Sequence, residues 1–248
     1  MTDPRFSRIE KMIGLEGLRK LRASFVTVVG LGAVGSYAVE GLARAGVGRL
    51  RLVDFDDIRP SNINRQLYAL ESTIGCAKTE VAIARVRDIN PKCKVEAIRC
   101  FFDDATADSV LAGPPDLVID AIDSVAPKAH LLAELIKRDI PVIASMGAAL
   151  RTDPALVRTG PLSEVKNCPL ARLIRKRLRK RGLSVEFPCI YSTESIHDLP
   201  EDVVSETGDA TEETLRRGRT RRTLGSLPTL TGIFGLTAAN LAIRMLLE

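Results

Sequence analysis

Gly30-Leu31-Gly32-Ala33-Val34-Gly35 has the GxGxxG spacing, directly after a β-branched run and at the mouth of a helical pattern. In that context glycines let the backbone turn and approach a phosphate. The helix N-terminus then offers free N–H groups and the positive end of its dipole. Asp54 stands 19 residues after Gly35, where a carboxylate accepts hydrogen bonds from ribose hydroxyls. Next come Ser61-Asn62-Ile63-Asn64-Arg65-Gln66, then Lys78 thirteen residues beyond Arg65, then Asp120-Ala121-Ile122-Asp123. Hydride transfer needs no such cation set, because a nicotinamide cofactor keeps its phosphates. Nucleotidyl transfer does: a leaving pyrophosphate must be neutralised by cations and a carboxylate-bound Mg²⁺. Arg65 and Lys78 are the cations of that reading and Asp123 the metal ligand.

Each residue alone has a plainer reading. Arg65 reads as a surface loop charge, Lys78 as the solvated start of a helix, and Asp123 as the N-cap of the next helix. A glycine turn without a ligand is the plain reading of the motif. None of these accounts for the ordered set.

The elements that must carry the set alternate between strand and helix. Strand patterns fall at 25–29, 50–53, 95–98, 116–119 and 141–144, and helical patterns at 34–46, 78–89 and 126–138. This alternation predicts an α/β fold: a Rossmann-like, mostly parallel sheet flanked by helices, with a basic C-terminal extension. A leading helix is expected over 5–21. After residue 150 the pattern predicts a strand at 155–157, a very basic helix at 169–181, a strand at 185–190, a charged mobile loop at about 194–226 and a closing helix at 229–247 packed on the sheet. The organisation expected is a single domain, 1–248, with a nucleotide-binding core at 25–150 and a substrate-side extension at 151–248.

Composition narrows the classes. The 248 residues are 45% hydrophobic and 27% charged, which suits a folded core. There is no Trp and only 4% aromatics, which argues against a stacking platform for single-stranded nucleic acid. No signal-peptide pattern opens the chain, and no apolar stretch reads as approaching the ~20 residues of a membrane span, so a cytoplasmic protein without membrane partners is expected. The five cysteines are odd in number and scattered, with no CxxC pair, which suits neither a disulfide framework nor a zinc ribbon. Cys168 and Cys189 read as packing residues rather than thioester-forming nucleophiles. His130, in a helix, and His197, in the acidic loop, make poor catalytic bases.

The net charge of +5 is unevenly spread. Nine Lys/Arg against two Glu lie between Arg158 and Tyr191, eight Asp/Glu without a cation between Ser192 and Thr214, and five Arg between Leu215 and Arg222. Within the basic block, Arg172, Arg175, Lys176, Arg179 and Lys180 read as a nucleic-acid contact; the plainer reading is a solvated helix.

Taken together, the motifs resemble the ubiquitin-activating-like adenylyltransferases of the ThiF/MoeB type. The matching segments are Arg5-Phe6-Ser7-Arg8, Gly30–Gly35, Asp54-Phe55-Asp56, Ser61–Gln66, Lys78 and Asp120–Asp123. The second half resembles the tRNA-modifying branch of that family, through Pro169-Leu170-Ala171-Arg172, the basic helix, Tyr191-Ser192-Thr193-Glu194 and Thr231-Gly232-Ile233-Phe234-Gly235-Leu236. The resemblance implies that Gly30, Gly32 and Gly35 shape an ATP loop, that Asp54 holds the ribose and that Asn62, Arg65 and Lys78 hold phosphates. Asp56 and Gln66 complete the nucleotide contacts, and Asp123 ligates Mg²⁺. Arg8 reaches the γ-phosphate from the second subunit of a homodimer. A monovalent cation (K⁺ or Na⁺), with no motif to place it, and a cysteine desulfurase or sulfur-acceptor partner are further implications.

The implied reaction is adenylation of the carboxylate of threonylcarbamoyladenosine in tRNA, followed by cyclisation with release of AMP. The alternative is activation of the C-terminus of a ubiquitin-like sulfur carrier. The CxxC pairs of the sulfur-carrier branch are absent, which weighs against it. Cys168 stands where the tRNA-modifying pattern carries Asp. A noncatalytic nucleotide- or tRNA-binding module and a nicotinamide oxidoreductase are the remaining readings.

Overall fold

A computed structural model describes residues 3–196 and 224–248. Seven strands form one sheet: β1 (Phe25–Val29), β2 (Arg49–Val53), β3 (Lys94–Ile98), β4 (Leu117–Asp120), β5 (Val142–Ser145), β6 (Val157–Pro161) and β7 (Pro188–Ser192). Their order is β3-β2-β1-β4-β5-β7-β6. All neighbours run parallel except the β6–β7 pair at the edge. The helices are α1 (Ser7–Ala23), α2 (Gly35–Ala45), α3 (Lys78–Ile89), α4 (Ala107–Leu111), α5 (Val125–Lys137), α6 (Pro169–Lys180) and α7 (Pro228–Leu247).

Both faces of the sheet are covered, which is why its strands read as continuous apolar runs rather than alternating ones. The period of two sorts the side chains. Val26, Val28, Leu117 and Ile119 pack with Ala38 and Leu42 of α2 and Phe234 of α7. Val29, Val118 and Val142 face the other way, with Leu131 and Leu135 of α5 and Ile174 and Leu178 of α6. The strand order reverses between β1 and β4. The carboxyl ends of those strands therefore open a crevice, the usual ligand position in such sheets.

Several expectations need correction. The leading helix is broken at Gly14, whose φ of 75° and ψ of 170° are not helical. Residues 154–156 form a 3₁₀ turn that begins at Pro154, and the strand begins only at Val157. Proline fixes φ, and Asp153 caps the turn through Ala155 N–H. The strand expected at 185–190 lies at Pro188–Ser192. Short α4 was not expected at all.

The statement that no stretch approaches a membrane span also fails. α7 has 20 residues and a mean hydropathy of 1.5, enough by length and composition. Its small residues instead let it lie tight against α2. A Cβ on Gly41 would stand 2.7 Å from Ala239 Cβ, and one on Gly235 would stand 2.3 Å from Val34 O. Most of the 194–226 loop, with His197, most of the acidic run and the Arg216–Arg222 cluster, lies outside the described residues.

Candidate active site

The three motif glycines have three different jobs. Gly30 has φ of 93°, and its amide donates to Val53 O at 2.8 Å, tying the turn to the end of β2. A Cβ there would meet Ala121 O at 2.9 Å. At Gly35 a Cβ would stand 1.7 Å from Gly30 O, so only glycine lets α2 start this close to the turn. Gly32 is different: the nearest atom to its missing Cβ is Gln66 Nε2 at 3.8 Å. Two glycines are thus demanded by the protein's own backbone. The third leaves an open side, with room for a phosphate to approach the backbone.

Asp54 directly follows β2 and is buried. Its Oδ2 accepts from Leu31 N–H in the turn at 2.6 Å, and its Oδ1 from Asp56 N–H at 2.9 Å. A carboxylate oxygen has two acceptor sites, so each keeps one for a ribose hydroxyl. Lys78, the first residue of α3, is not the solvated helix start of the plainer reading: it is 5% exposed. Its Nζ lies 2.9 Å from Asp56 Oδ2 and 3.9 Å from Asp54 Oδ1. Burial pushes the Asp54 carboxyl above the usual range, with the Lys78 ammonium and the two amides pulling against it. The result is an ammonium held by two acids at the end of β2, beside the glycine turn. Incoming phosphate oxygens can share an ammonium that is already desolvated.

The 61–66 segment is fastened over the start of α2, since Ser36 Oγ accepts from Leu67 N–H at 3.2 Å. Asn62 is buried and its Oδ1 accepts from Arg59 N–H at 3.1 Å. Arg65 is half-buried, and its Nη1 donates to Ser61 O at 2.9 Å and Asn64 Oδ1 at 2.8 Å. Asn62 therefore shapes the loop, while the rest of the Arg65 fork extends from it.

Asp123 is exposed in the turn that follows β4. It is not the helix cap: Ser124 occupies that position, before α5. The turn abuts the glycine loop, because Ala121 N–H donates to Val29 O at 2.9 Å and Ala121 O sits against Gly30. No group of three or more His, Cys, Asp or Glu side chains gathers for a metal among the described residues. One exposed carboxylate beside a phosphate cradle nevertheless suits Mg²⁺. That ion keeps several waters and takes one or two carboxylates plus substrate phosphates. Asp123 is the residue that would hold it.

Not every expected residue joins this group. Arg8 is exposed on α1, two residues from Phe6, whose ring lies 3.2 Å from where a Gly46 Cβ would stand. Gly46 lies between α2 and β2, at the opposite end of the strands from the glycine turn. Arg8 cannot serve the turn of its own chain.

α6 starts on the same edge as the turn, since Asn167 Nδ2 donates to Thr193 O just past β7 at 2.8 Å. It buries Ala171, Ile174 and Leu178 and exposes Arg172, Lys176, Arg179 and Lys180. Arg175 differs: its Nη1 donates to Leu162 O at 3.0 Å and also to Val165 O, so it fastens the segment before the helix instead of facing a ligand. Cys168 is buried and caps α6, with Sγ accepting from Ala171 N–H at 3.5 Å. Cys189 is fully buried, and burial pushes its thiol far up. Both are packing residues. His130 Nε2 lies 3.2 Å from Asp104 Oδ1.

Two features escaped the sequence reading. Lys128 of α5 is fully buried, 2.8 Å from the buried Asp120; a lysine in the apolar stripe of α5 was the signal. Arg151 is buried and donates to Glu194 O and Asn167 O. The Glu194 carboxylate accepts from Thr152 N–H (2.9 Å), Thr152 Oγ1 (2.8 Å) and Asp153 N–H (3.0 Å). Burial raises that carboxyl, but these donors outweigh it and hold it below the usual range. The clamp fastens the chain after β7 to the β5–β6 connection. Leu150 N–H donates to Gly225 O at 2.9 Å on the same connection.

Comparison with known proteins follows the same lines. The tRNA threonylcarbamoyladenosine dehydratase of Bacillus subtilis (strain 168) is 47% identical over 204 residues, 82% of this chain and 80% of that protein. The enzyme of the same name from Escherichia coli (strain K12) is 34% identical over 98% of this chain and 93% of its own. The crystal structure of the E. coli enzyme in complex with ATP superposes with a TM-score of 0.83 at 31% identity, covering 98% of this chain and 93% of that one. The ThiF family profile matches residues 6–248, and with the glycine turn, the Asp54–Lys78–Asp56 cluster and the Asp123 turn at one crevice, this chain belongs to the ThiF family.

Proposed function

We propose that this protein is an ATP-dependent dehydratase that adenylates the carboxylate of threonylcarbamoyladenosine in tRNA and cyclises it, releasing AMP and pyrophosphate. The observation that carries the chemistry is Lys78, buried between Asp54 and Asp56 at the mouth of the glycine turn. The named relatives support the substrate. In the first step the substrate carboxylate attacks the α-phosphorus, the bond to the β-phosphate oxygen breaks, and pyrophosphate leaves. Lys78 and Arg65 stabilise the charge that develops on the phosphates. Asp123 would hold Mg²⁺, which would supply neutralisation of the phosphate charge. In the second step a nitrogen of the same modified nucleoside attacks the activated carbonyl carbon. AMP departs with the former carboxylate oxygen, and the nitrogen loses its proton. The nucleoside is thus one water lighter. Because the attack is intramolecular, proximity does the work of a catalytic thiol, consistent with the burial of Cys168 and Cys189.

On this reading the nucleotide contacts are Gly30, Gly32, Gly35, Asp54, Asp56, Asn62, Arg65, Gln66 and Lys78. Arg8 serves the site of a second copy in a homodimer. Its distance from the turn of its own chain supports that arrangement. Arg172, Lys176, Arg179 and Lys180 contact tRNA phosphates, and the location is cytoplasmic.

The test is incubation with ATP, Mg²⁺ and threonylcarbamoyl-modified tRNA. Nucleoside mass spectrometry is expected to find loss of one water, with AMP formed stoichiometrically. An unchanged nucleoside from a preparation that exchanges pyrophosphate into ATP overturns the substrate. Release of ADP and orthophosphate overturns the chemistry.

A further inference from the structure

Lys128 is among the largest fully buried side chains of the described protein, yet it sits beside a surface turn. It lies one turn into α5, with its amide donating to Ser124 O at 3.1 Å. Its side chain runs back beneath the β4–α5 connection. There Nζ lies 2.8 Å from Asp120 Oδ2, donates to Ile122 O at 3.0 Å and reaches Asp120 O at 3.5 Å. Asp120 Oδ1 accepts from Ile122 N–H at 3.0 Å. Ile122 is therefore gripped at both its amide and its carbonyl by one buried ion pair. The Ile122 carbonyl belongs to the peptide unit that carries the Asp123 amide, so fixing that plane fixes where the Asp123 Cα stands. On the other side of the same turn, Ala121 O presses against Gly30.

A buried ion pair is a poor means of gaining stability, since apolar residues of similar volume do as well or better. What it supplies here is direction: three strong contacts converge on two residues between the glycine turn and Asp123.

We propose that the Lys128–Asp120 pair is a positioning device for the β4–α5 turn, holding the Asp123 carboxylate toward the nucleotide crevice. The part concerning Asp123 rests on the reading of that residue as the Mg²⁺ contact. The part concerning the turn does not. Lys128 and Asp120 touch neither nucleotide nor substrate and act through Ile122 and Asp123.

Lys128→Met alone strands a buried carboxylate, so the paired variant Asp120→Asn/Lys128→Met, which removes both charges, carries the test in the full chain. Two readouts are taken. Amide hydrogen exchange over Ile122–Ser124 is expected to accelerate at least tenfold, while amides within β1 and β4 keep the parent rate. The Mg²⁺ concentration for half-maximal ATP–pyrophosphate exchange is expected to rise about tenfold, and Asp123→Ala added to the paired variant is expected to cost far less than in the parent, because the two act on one function. Parent-like exchange over Ile122–Ser124 overturns the proposal. So does a full, additive Asp123→Ala loss on top of the paired variant. Accelerated turn exchange, with Mg²⁺ dependence that Asp123→Ala does not move in the parent, upholds the positioning of the turn and instead removes Asp123 as the metal contact.

Discussion

The half of the sheet that carries the glycine turn, β1 to β4, and the half from β5 to β7 with α6 use charge in opposite ways. In the first, charged groups converge: Asp54, Asp56 and Lys78 meet within 4 Å beside the glycine turn. In the second, they disperse. Arg175 and Arg151 are spent on backbone carbonyls, Glu194 is spent on backbone amides, and the remaining cations of α6 stand in solvent. A triphosphate is small and constant, so its site is built from fixed backbone and buried pairs. The RNA surface of the proposed function is large, and a row of solvated cations would meet it through counterion release. The contrast predicts that substitutions fail abruptly in one half and gradually in the other.

The sharpest break concerns the glycines. Gly35→Ala places a Cβ 1.7 Å from Gly30 O and is expected to cost about 4 kcal/mol or more, appearing as loss of the folded protein in denaturant melts. Gly32→Ala meets nothing closer than 3.8 Å. It is expected to leave the melt within about 1 kcal/mol of the parent and to act on ATP affinity, measured by titration. Equal melts for the two would erase the distinction between the structural and the ligand-facing glycine.

Next in size is the cation set. Lys78→Ala and Arg65→Ala are each expected to lower AMP formation by about 10²–10³-fold, the usual range for losing one preorganised charge-stabilising donor. Lys78→Ala also leaves Asp54 and Asp56 facing each other, so ATP binding should weaken more for it than for Arg65→Ala.

On α6 the effect should be graded. Replacing Arg172, Lys176, Arg179 and Lys180 together by Ala is expected to weaken tRNA binding and reduce the slope of log K against log salt by about three, near 0.7–0.9 per phosphate contact. Arg175→Ala should instead leave the salt slope unchanged and lower stability by about 1–3 kcal/mol, because the Leu162 and Val165 carbonyls lose a charged donor, Leu162 O keeping only Val165 N–H. A changed slope for Arg175→Ala alone would place it back among the RNA contacts.

The smallest effect is the Glu194 clamp. Its folded-state carboxyl is held below the ordinary glutamate value of 4.5, so its contribution is present at neutral pH and fades as the pH falls through and below that value. Glu194→Gln is expected to cost about 1 kcal/mol at pH 7, with the gap to the parent narrowing near pH 4 in parallel denaturant melts.

How far these features were legible depends on the range of the forces behind them. The end of β1 and the extent of α3 were read correctly because short apolar runs, a glycine turn and a following Pro91 act locally. The β-type reading of 155–157 failed because apolar Ala155-Leu156-Val157 follows a proline that forces a turn. α7 escaped the membrane test because Thr, Gly and Asn interrupt its apolar residues, although it carries a single charge, Arg244. Within the site, Lys78, Asp54 and Asp56 are each legible in the sequence, but their pairing is visible only in space.

The sequence by itself determined the parallel α/β core, the glycine turn and the residue types of a phosphate cradle, since each follows from local geometry or near-neighbour pattern. Tertiary structure alone decided which charges are buried and paired. It set Lys128 beneath the Asp123 turn, bound Arg175 to carbonyls, capped α6 with Cys168 and put Arg8 at the far end of the sheet from its own glycine turn. Burial and pairing depend on residues distant in the chain, and no spacing along the chain records them.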